Sequence, residues 1–164
     1  MRQYRKQTLT LSALAAALLL AFAPPAAAAT TGVVTTIVTN PLTGIALDGM
    51  DPVSYFTDEE PQQGTPAFEV VWGGVSWYFA TEANREVFVR APEIYAPQFG
   101  GHCPMGLARG YLSDGNPSIY LVINKRLYLF YSTGNKDAFQ LAPETAILGA
   151  RAAWPELQKA LSTH

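Results

Sequence analysis

The pattern of apolar and polar positions predicts two β-hairpins. "AFEVVW" and "VSWYFA" flank Gly73-Gly74, and "SIYLVI" and "RLYLFY" flank Asn124-Lys125. Short runs rich in β-branched and aromatic residues, separated by two such turn residues, are typical of hairpins. Because the strands are apolar on both faces, we expect a sheet that is covered on both sides.

Helical patterns follow the first hairpin and close the chain. Thr81 provides a hydroxyl cap for a helix over "TEANREVFVRA", which Pro92 ends. Near the C-terminus, apolar residues recur at steps of three and four, which indicates one helical face turned to the core. They are Ile147, Ala150, Trp154, Leu157 and Leu161. We expect Pro155 to stop this helix near Ala153 and to begin another.

These elements predict an α+β fold. It is a small single domain with two β-hairpins that form an antiparallel sheet, packed by short helices and followed by a C-terminal helical segment. The sequence predicts no internal repeat. We expect Asp51 to cap a short helix with Pro52 at its first position. The predicted core consists of Trp72, Trp77, Phe79, Phe88, Tyr95, Leu129 and Trp154.

The N-terminal residues predict that the protein is exported. Arg2, Arg5 and Lys6 precede the uncharged run "LTLSALAAALLLAFA", and small residues with Ala27 and Ala29 follow. This three-part layout is typical of a secretory signal peptide, and the run is shorter than the roughly 20 residues that span a membrane. We therefore predict a signal peptide over 1–29, an N-terminal extension over 30–44, and a periplasmic or secreted protein without stable membrane insertion after cleavage.

Charge and motifs then exclude several classes of function. Cleavage after residue 29 would remove three of the 11 basic residues and none of the 13 acidic ones, leaving a net charge of −5. A chain of this charge has no basic stripe for nucleic acid. With one cysteine, it also lacks haem-attachment, CxxC redox and four-cysteine zinc motifs, and it has no nucleotide-binding or hydrolase signature. We predict no catalytic residue.

The stretch "FGGHCPMGLARG" carries the candidate chemistry. It contains the only cysteine, Cys103, beside His102 and Met105, after Gly100-Gly101. Two glycines can open a sharp turn into a helix that begins near Cys103, and a helix N-terminus favours the reactive thiolate. We therefore expect a thiol that solvent can reach. The alternative is that Cys103 and Met105 only pack in the core and that the glycines only allow chains to approach closely.

A cysteine, histidine and methionine set is soft. It suits Cu(I), and it suits Zn(II) less well because zinc rarely uses methionine. The predicted metal ligands are Cys103, His102 and Met105. Other groups could complete such a site: Met50, Glu82, Asp114 or a second copy of the chain.

The order of motifs resembles the exported bacterial branch of the YHS domain family. The resemblance rests on "DGMDPVSYF", "WGGVSWYFATEANREVFVRAPEIYAPQFGGHC", "RLYLFY" and "AAWPEL", and it implies a YHS-like domain over 45–164. Members of this family are small α+β units in which a hairpin runs into a helix, and the family is proposed to bind metal. Relatives that bind metal have cysteines where this chain has Ala80 and Asn84, so two soft ligands of the family pattern are missing here.

Three classes of function follow. The first is a protein that binds or handles copper or zinc at a site centred on Cys103, with the metal ion as its partner. The second is a thiol-redox protein in which Cys103 reacts with an external thiol. The third is a structural or adaptor domain without chemistry of its own.

Overall fold

The computed structural model describes residues 36–161, so the predicted signal peptide over 1–29 lies outside the described residues. The first half contains α1 (Ser54–Thr57), β1 (Thr65–Trp72), β2 (Val75–Phe79), α2 (Glu82–Arg90) and α3 (Pro92–Tyr95). The second half contains α4 (Pro104–Leu107), β3 (Asn116–Ile123), β4 (Arg126–Phe130), α5 (Thr133–Leu141) and α6 (Pro143–Leu161). Short 3₁₀ turns, Leu47–Gly49 and Gln98–Gly101, precede α1 and α4. The predicted α+β class is confirmed.

Both predicted hairpins are present, and each forms its own antiparallel two-stranded sheet instead of sharing one. The turn residues have the left-handed conformation that such turns require. Gly73 and Gly74 have φ values of 62° and 81°, and Asn124 and Lys125 have φ values of 51° and 58°. The second turn therefore holds two residues with a Cβ in a backbone region that glycine adopts more easily.

The helix caps follow the sequence, but one predicted break does not occur. Thr81 Oγ1 accepts a hydrogen bond from Asn84 N at 3.1 Å and so begins α2 as predicted. The predicted stop at Ala153 is wrong, because α6 runs without interruption from Pro143 to Leu161 with Pro155 inside it. Trp154 packs against the rings of Phe99 and His102 on one side of this point, and those contacts hold the helix where the proline removes a backbone donor.

The chain contains an internal duplication, so the prediction of no repeat is wrong. Strand β3 begins 51 residues after β1, and the same offset relates β4 to β2, α5 to α2, and the start of α6 to that of α3. Strand pairing shows the same offset. The register shift between Thr65 and Glu69 recurs between Asn116 and Tyr120. We refer to residues 46–97 as the first repeat and to residues 98–161 as the second repeat.

Local geometry repeats as well. Ser132 Oγ accepts from Asn135 N at 3.2 Å, as Thr81 does from Asn84. Nine of the 30 aligned positions from Gly64 to Glu93 are identical to the residue 51 positions later, and they include the fully buried Phe79 and Phe88. The first-repeat members are Gly64, Pro66, Val71, Phe79, Asn84, Phe88, Ala91, Pro92 and Glu93.

The repeats share a core. Trp77, Phe79 and Phe88 of the first repeat are fully buried and lie in one apolar cluster with Leu127 and Leu129 of the second. A second cluster, around Phe130 and Phe139, lies within the second repeat. Of the other predicted core residues, Trp72, Tyr95 and Trp154 are only partly buried. Within residues 36–161, no helix is both long and apolar enough to cross a membrane.

Tyr55 of the first repeat forms a hydrogen bond with the second repeat. Its hydroxyl donates to the Pro117 carbonyl at 2.9 Å, and its ring meets that of Tyr120 edge-on, with the centroids 4.8 Å apart. Burial raises the pKa of the Tyr55 hydroxyl, so this group remains a neutral donor. The contact fixes the face of the second hairpin against α1.

Candidate functional site

The glycine pair before the candidate site allows two chain segments to meet. Phe99, Gly100 and Gly101 all have left-handed φ values, of 56°, 63° and 93°. Val38 N donates to the Gly100 carbonyl at 2.8 Å, and a Cβ on Gly100 would lie 2.1 Å from the carbonyl oxygen of Thr36. Only glycine fits such an approach. The geometry supports the close-approach interpretation of these glycines.

Cys103 lies at the N-cap of α4, as the sequence predicts, but solvent does not reach it. Its exposed fraction is 0 %, and it packs in the cluster of Phe130 and Phe139. Asn135 Nδ2 donates to its Sγ at 3.6 Å. The prediction of a reachable thiol is therefore wrong in this conformation, because residues of β4 and α5 pack over the start of a helix that is only four residues long.

His102 lies in different surroundings from Cys103. Its ring packs against Trp154, and its Nδ1 lies 3.2 Å from Asp114 Oδ1, although the angles are not those of a good hydrogen bond. Burial lowers the pKa of His102, and the Asp114 carboxylate acts in the opposite direction. His102 is thus a buried neutral imidazole beside an exposed carboxylate.

The three predicted metal ligands do not share one polar site. Met105 packs against the same apolar cluster as Cys103, and it lines a groove with Ala142 and Gly149. Glu82, proposed as an additional ligand, pairs with Arg85 on the exposed face of α2. Among residues 36–161, no group of three or more His, Cys, Asp or Glu side chains has the geometry to hold a metal ion.

The duplication identifies Asp51 as the counterpart of Cys103, because the loops before the short helices correspond at an offset of 52 residues, one more than the hairpins. "LDGMDP" and "FGGHCP" occupy the same place in the two repeats, with the same run of three left-handed residues. Asp51 N donates to the Gln62 carbonyl, and Cys103 N donates to the Ser113 carbonyl. Sequence reasoning assigned Asp51 as a helix cap with Pro52 at the first helical position. Asp51 Oδ1 does accept from Val53 N and Ser54 N, but α1 begins at Ser54, so the predicted start at Pro52 is wrong. The equivalence of Asp51 with the cysteine was missed.

Asp51 is fully buried with all its donors supplied by the first repeat. Its Oδ1 accepts from Val53 N at 2.8 Å, and its Oδ2 accepts from Ala80 N at 2.9 Å and from Asn84 Nδ2 at 2.7 Å. Asn135, which contacts Cys103, is the counterpart of Asn84. The sulfur therefore occupies a position that is built, in the other repeat, around a carboxylate.

A cleft that sequence reasoning missed lies between the repeats. It encloses about 270 Å³, near the lower end of the size range of pockets for small molecules. Its apolar floor is formed by Leu47 and Trp77 of the first repeat and Leu129 of the second. We call it the interrepeat cleft; it is also lined by Val38, Thr39, Asn40, Pro41, Asp48, Pro97, Gly101, Asp114, Gly115, Asn116, Pro117 and Tyr131.

The charged side chains that line the interrepeat cleft are both acidic. Asp48 Oδ1 accepts from Asn40 Nδ2 at 3.0 Å, and Asp114 Oδ1 lies beside His102. No lysine, arginine or histidine is among the described residues that line the cleft. The ring of Tyr131 is at the edge of the cleft, with 66 % of this residue exposed. Two carboxylates, an aromatic face and an apolar floor can hold a cationic group with an apolar body.

Asp48 is in a strained position. Leu47 and Asp48 have φ values of 55° and 53°, in the left-handed region, whereas glycine occupies the counterpart of Asp48 in the second repeat, Gly100. A residue with a Cβ in this region costs free energy, although aspartate tolerates it better than most. Strained residues cluster at functional sites, which makes Asp48 a candidate functional residue of the cleft.

The polar residues of the cleft carry no sequence signal that would bring them together. Asp48 and Asp114 are far apart in the chain, and only knowledge of the duplication would have placed both of their loops beside the same cleft. The sequence suggested Asp114 only as an additional metal ligand. Comparisons with protein-family models, with curated proteins and with solved structures found no match to this chain. The resemblance to the YHS domain family therefore stays a prediction.

Proposed function

We propose that this chain is an exported, non-catalytic binding domain whose interrepeat cleft holds a small amine-bearing ligand. The observation that carries the proposal is a cleft with two carboxylates, Asp48 and Asp114, and no cationic side chain among its described lining residues, over a floor of buried apolar side chains. A protonated amine would pair with these carboxylates, and its apolar part would displace water from Leu47, Trp77 and Leu129.

The strain at Asp48 supports the same proposal. Glycine would adopt the local backbone at lower cost, as Gly100 does in the second repeat, and a carboxylate at such a costly position supports a role for Asp48 in binding. Natural proteins give up stability in this way at functional sites. Binding of a small amine is a class of function that the sequence did not suggest; of the three classes that it left open, the structural or adaptor domain also needs no reaction at Cys103.

A pair of matched ligands tests the proposal. We expect phenethylamine to bind the mature protein saturably in isothermal titration calorimetry, and phenethyl alcohol, which lacks the charge, to bind at least tenfold more weakly. Asp48→Asn and Asp114→Asn should each weaken amine binding about tenfold, the loss of one charge-assisted hydrogen bond. Asp137→Asn, on the exposed face of α5, is the control and should bind as the native protein does.

Asp48→Gly separates binding from folding. This variant should unfold at the same temperature as the native protein or higher, because glycine relieves the left-handed strain, yet it should bind the amine as weakly as Asp48→Asn. Equal binding of amine and alcohol, or native affinity in both Asp48 variants, would refute the proposed site.

Metal binding at His102 is a second candidate, favoured by the 3.2 Å approach of its Nδ1 to Asp114 Oδ1. An imidazole beside a carboxylate is a pair that Zn(II) uses, and Cys103 and Met105 follow within three residues. Equilibrium dialysis of the reduced, metal-free protein against Zn(II) and Cu(I) tests it. If the site is as predicted from the sequence, Cys103→Ser abolishes tight binding and His102→Ala weakens it.

Thiol-redox chemistry is separable from both candidates by alkylation. A redox role requires Cys103 to react with an external thiol, whereas burial at 0 % exposure protects the sulfur. We expect the native thiol to resist iodoacetamide until the protein unfolds. Rapid modification of the folded protein, with a mixed disulfide formed to glutathione, would restore the redox interpretation.

Export is tested independently of the site. The support for it is the charged, apolar and small-residue layout of residues 1–29. Mass spectrometry of protein recovered from the cell envelope should give an N-terminus near Thr30. A full-length mass in the membrane fraction would replace export with anchoring.

A further inference from the structure

The duplication places two equivalent grooves on the molecule. The first-repeat groove is lined by Gly73, Trp77, Ala96 and Pro97, and it encloses about 280 Å³. The second-repeat groove is lined by the residues 51 positions later, Asn124, Tyr128, Ile147 and Leu148, and it encloses about 380 Å³. Each groove lies between the turn of a hairpin and the segment that follows the helix of the same repeat.

The first-repeat groove is covered by this chain's own N-terminal segment. Thr36 and Ile37 line it, and Ile37 lies so close to Gly73 that a Cβ there would be 2.5 Å from the Ile37 Cδ1. Val38 N donates to the Gly100 carbonyl and fixes the segment in place. Trp154 of α6 closes the same side. Under this cover, Pro97 is buried.

No such segment lies on the second-repeat groove in the described part of the chain, since all its lining residues come from the β3–β4 hairpin and α6. Leu148, the counterpart of the buried Pro97, is 66 % exposed there. Covering this side chain would remove apolar surface from water, which is favourable.

The charge around the second-repeat groove limits what can cover it. Arg126 and Arg151 line it, and neither forms an ion pair with a carboxylate within residues 36–161. Arg126 reaches only the Glu93 carbonyl, at 3.5 Å. Both arginines lie near the Tyr128 hydroxyl, whose pKa burial raises and their positive charges lower. Glu144 is the one acidic residue among the described residues that line this groove.

We propose that the second-repeat groove binds an extended acidic peptide segment of a partner protein. Its apolar side chain would lie against Tyr128 and Leu148, as Ile37 lies in the first-repeat groove, and its carboxylates would pair with Arg126 and Arg151. Arginine favours this role because its planar fork can bind a carboxylate through two hydrogen bonds. The site is distinct from the interrepeat cleft, so the two proposals succeed or fail separately.

The test uses a peptide that copies the segment covering the first-repeat groove. The mature protein, labelled with ¹⁵N, is titrated with acetyl-DTIVTD-amide and, in parallel, with acetyl-KTIVTK-amide, where TIVT is the sequence of residues 36–39. We expect saturable amide shifts at Tyr128, Leu148 and Arg151 with the acidic peptide, and at least tenfold weaker binding of the basic one.

Charge variants make the assignment specific. Arg126→Gln and Arg151→Gln should each weaken the acidic peptide about threefold to tenfold, and Arg90→Gln on α2 should not. Arg151→Glu should reduce the preference for the acidic peptide over the basic one. An unfolding temperature equal to that of the native protein shows that each variant keeps its fold.

Four results would overturn the proposal. The first is no saturable shift in the groove at millimolar peptide, and the second is equal binding of both peptides. The third is the same shifts and affinity with sodium glutarate alone, which would mean a small-anion site. The fourth is shifts of the groove residues on changing the protein concentration without peptide, which would mean that a second copy of the chain occupies the groove.

Discussion

The two repeats bury chemically different side chains at equivalent places. Shortly before its first short helix, the first repeat buries a carboxylate, Asp51, and the second buries a thiol, Cys103. The carboxylate accepts three short hydrogen bonds from Val53 N, Ala80 N and Asn84 Nδ2, whereas the sulfur accepts one long contact from Asn135. The same scaffold therefore supports a fully satisfied anion in one copy and a weakly bonded, packed sulfur in the other.

This difference changes how the lone cysteine is interpreted. Considered alone, a cysteine beside a histidine and a methionine points to chemistry. Considered as the counterpart of Asp51, it occupies a structural position in which a side chain caps a helix start and contacts the asparagine of the next helix. The second repeat satisfies this position by packing against Phe130 and Phe139.

Substitutions of the buried phenylalanines should cause the largest loss of stability, and they test whether the repeats form one folding unit. Phe79→Ala and Phe88→Ala, and their counterparts Phe130→Ala and Phe139→Ala, should each cost about 3–5 kcal/mol, since all four rings are fully buried. Urea unfolding measures the loss. A single transition in every variant supports a shared core; two transitions, each sensitive to one pair only, would show that the repeats unfold separately.

The next effect contrasts the two equivalent positions. Asp51→Ala leaves several buried donors without an acceptor, so we expect a loss of about 3 kcal/mol, from about 1–3 kcal/mol for each orphaned donor with partial relaxation. Cys103→Ala deletes one buried sulfur with a single weak contact and should cost about 1 kcal/mol. Equal losses in urea unfolding would contradict the view that the carboxylate is held by hydrogen bonds and the thiol by packing.

The sequence predicted local structure well because its signals are local. The apolar runs around Gly73-Gly74 and Asn124-Lys125 and the cap at Thr81 each specify their element within a few residues. The duplication was missed because few identities remain between the repeats: Tyr128 is the counterpart of Trp77, Arg126 that of Val75, and Cys103 that of Asp51. The interrepeat cleft could not be predicted, since its residues come together only once the repeats pack.

Burial of Cys103 shows the same limit. The helix start near this residue follows from Gly100-Gly101 and Pro104, which are local signals. Its accessibility depends on β4 and α5, which lie far along the chain and supply Phe130, Phe139 and Asn135. Three donors close in sequence were predicted to converge, but long-range packing places Cys103 and Met105 in an apolar cluster and His102 beside Trp154 and Asp114.

Exchanging the two side chains should change the stability less, and it compares the two positions directly. Cys103→Asp restores the residue type of the first repeat, and Asn135 Nδ2 lies where Asn84 Nδ2 donates to Asp51. We expect the variant to fold with a loss of about 2–3 kcal/mol, because one charge-assisted hydrogen bond of about 1.5–3 kcal/mol offsets only part of the several kcal/mol that burial of a carboxylate costs. Asp51→Cys, the reverse exchange, should lose clearly more. A larger loss for Cys103→Asp would mean that the second repeat no longer has the donors of the first.

The smallest effect concerns the residues beside these two positions, Met50 in the first repeat and His102 in the second. Burial lowers the pKa of His102 in the folded protein, whereas the unfolded chain has the ordinary value of about 6.5. As the pH falls below that value, the unfolded state binds more protons than the folded state, so the free energy of unfolding decreases. The stability that His102 contributes is therefore full above about pH 6.5 and is lost as the pH falls toward the lower, folded-state pKa.

The unfolding temperature should accordingly fall between about pH 7.5 and about pH 5.5. His102→Met, which copies the first repeat, should flatten that dependence, and Asp114→Asn should steepen it, because the Asp114 carboxylate opposes the shift. His164→Gln, at the chain's other histidine, serves as the control and should leave the profile unchanged. An unfolding temperature that rises as the pH falls would mean that the pair with Asp114 outweighs burial and that His102 is charged in the folded protein.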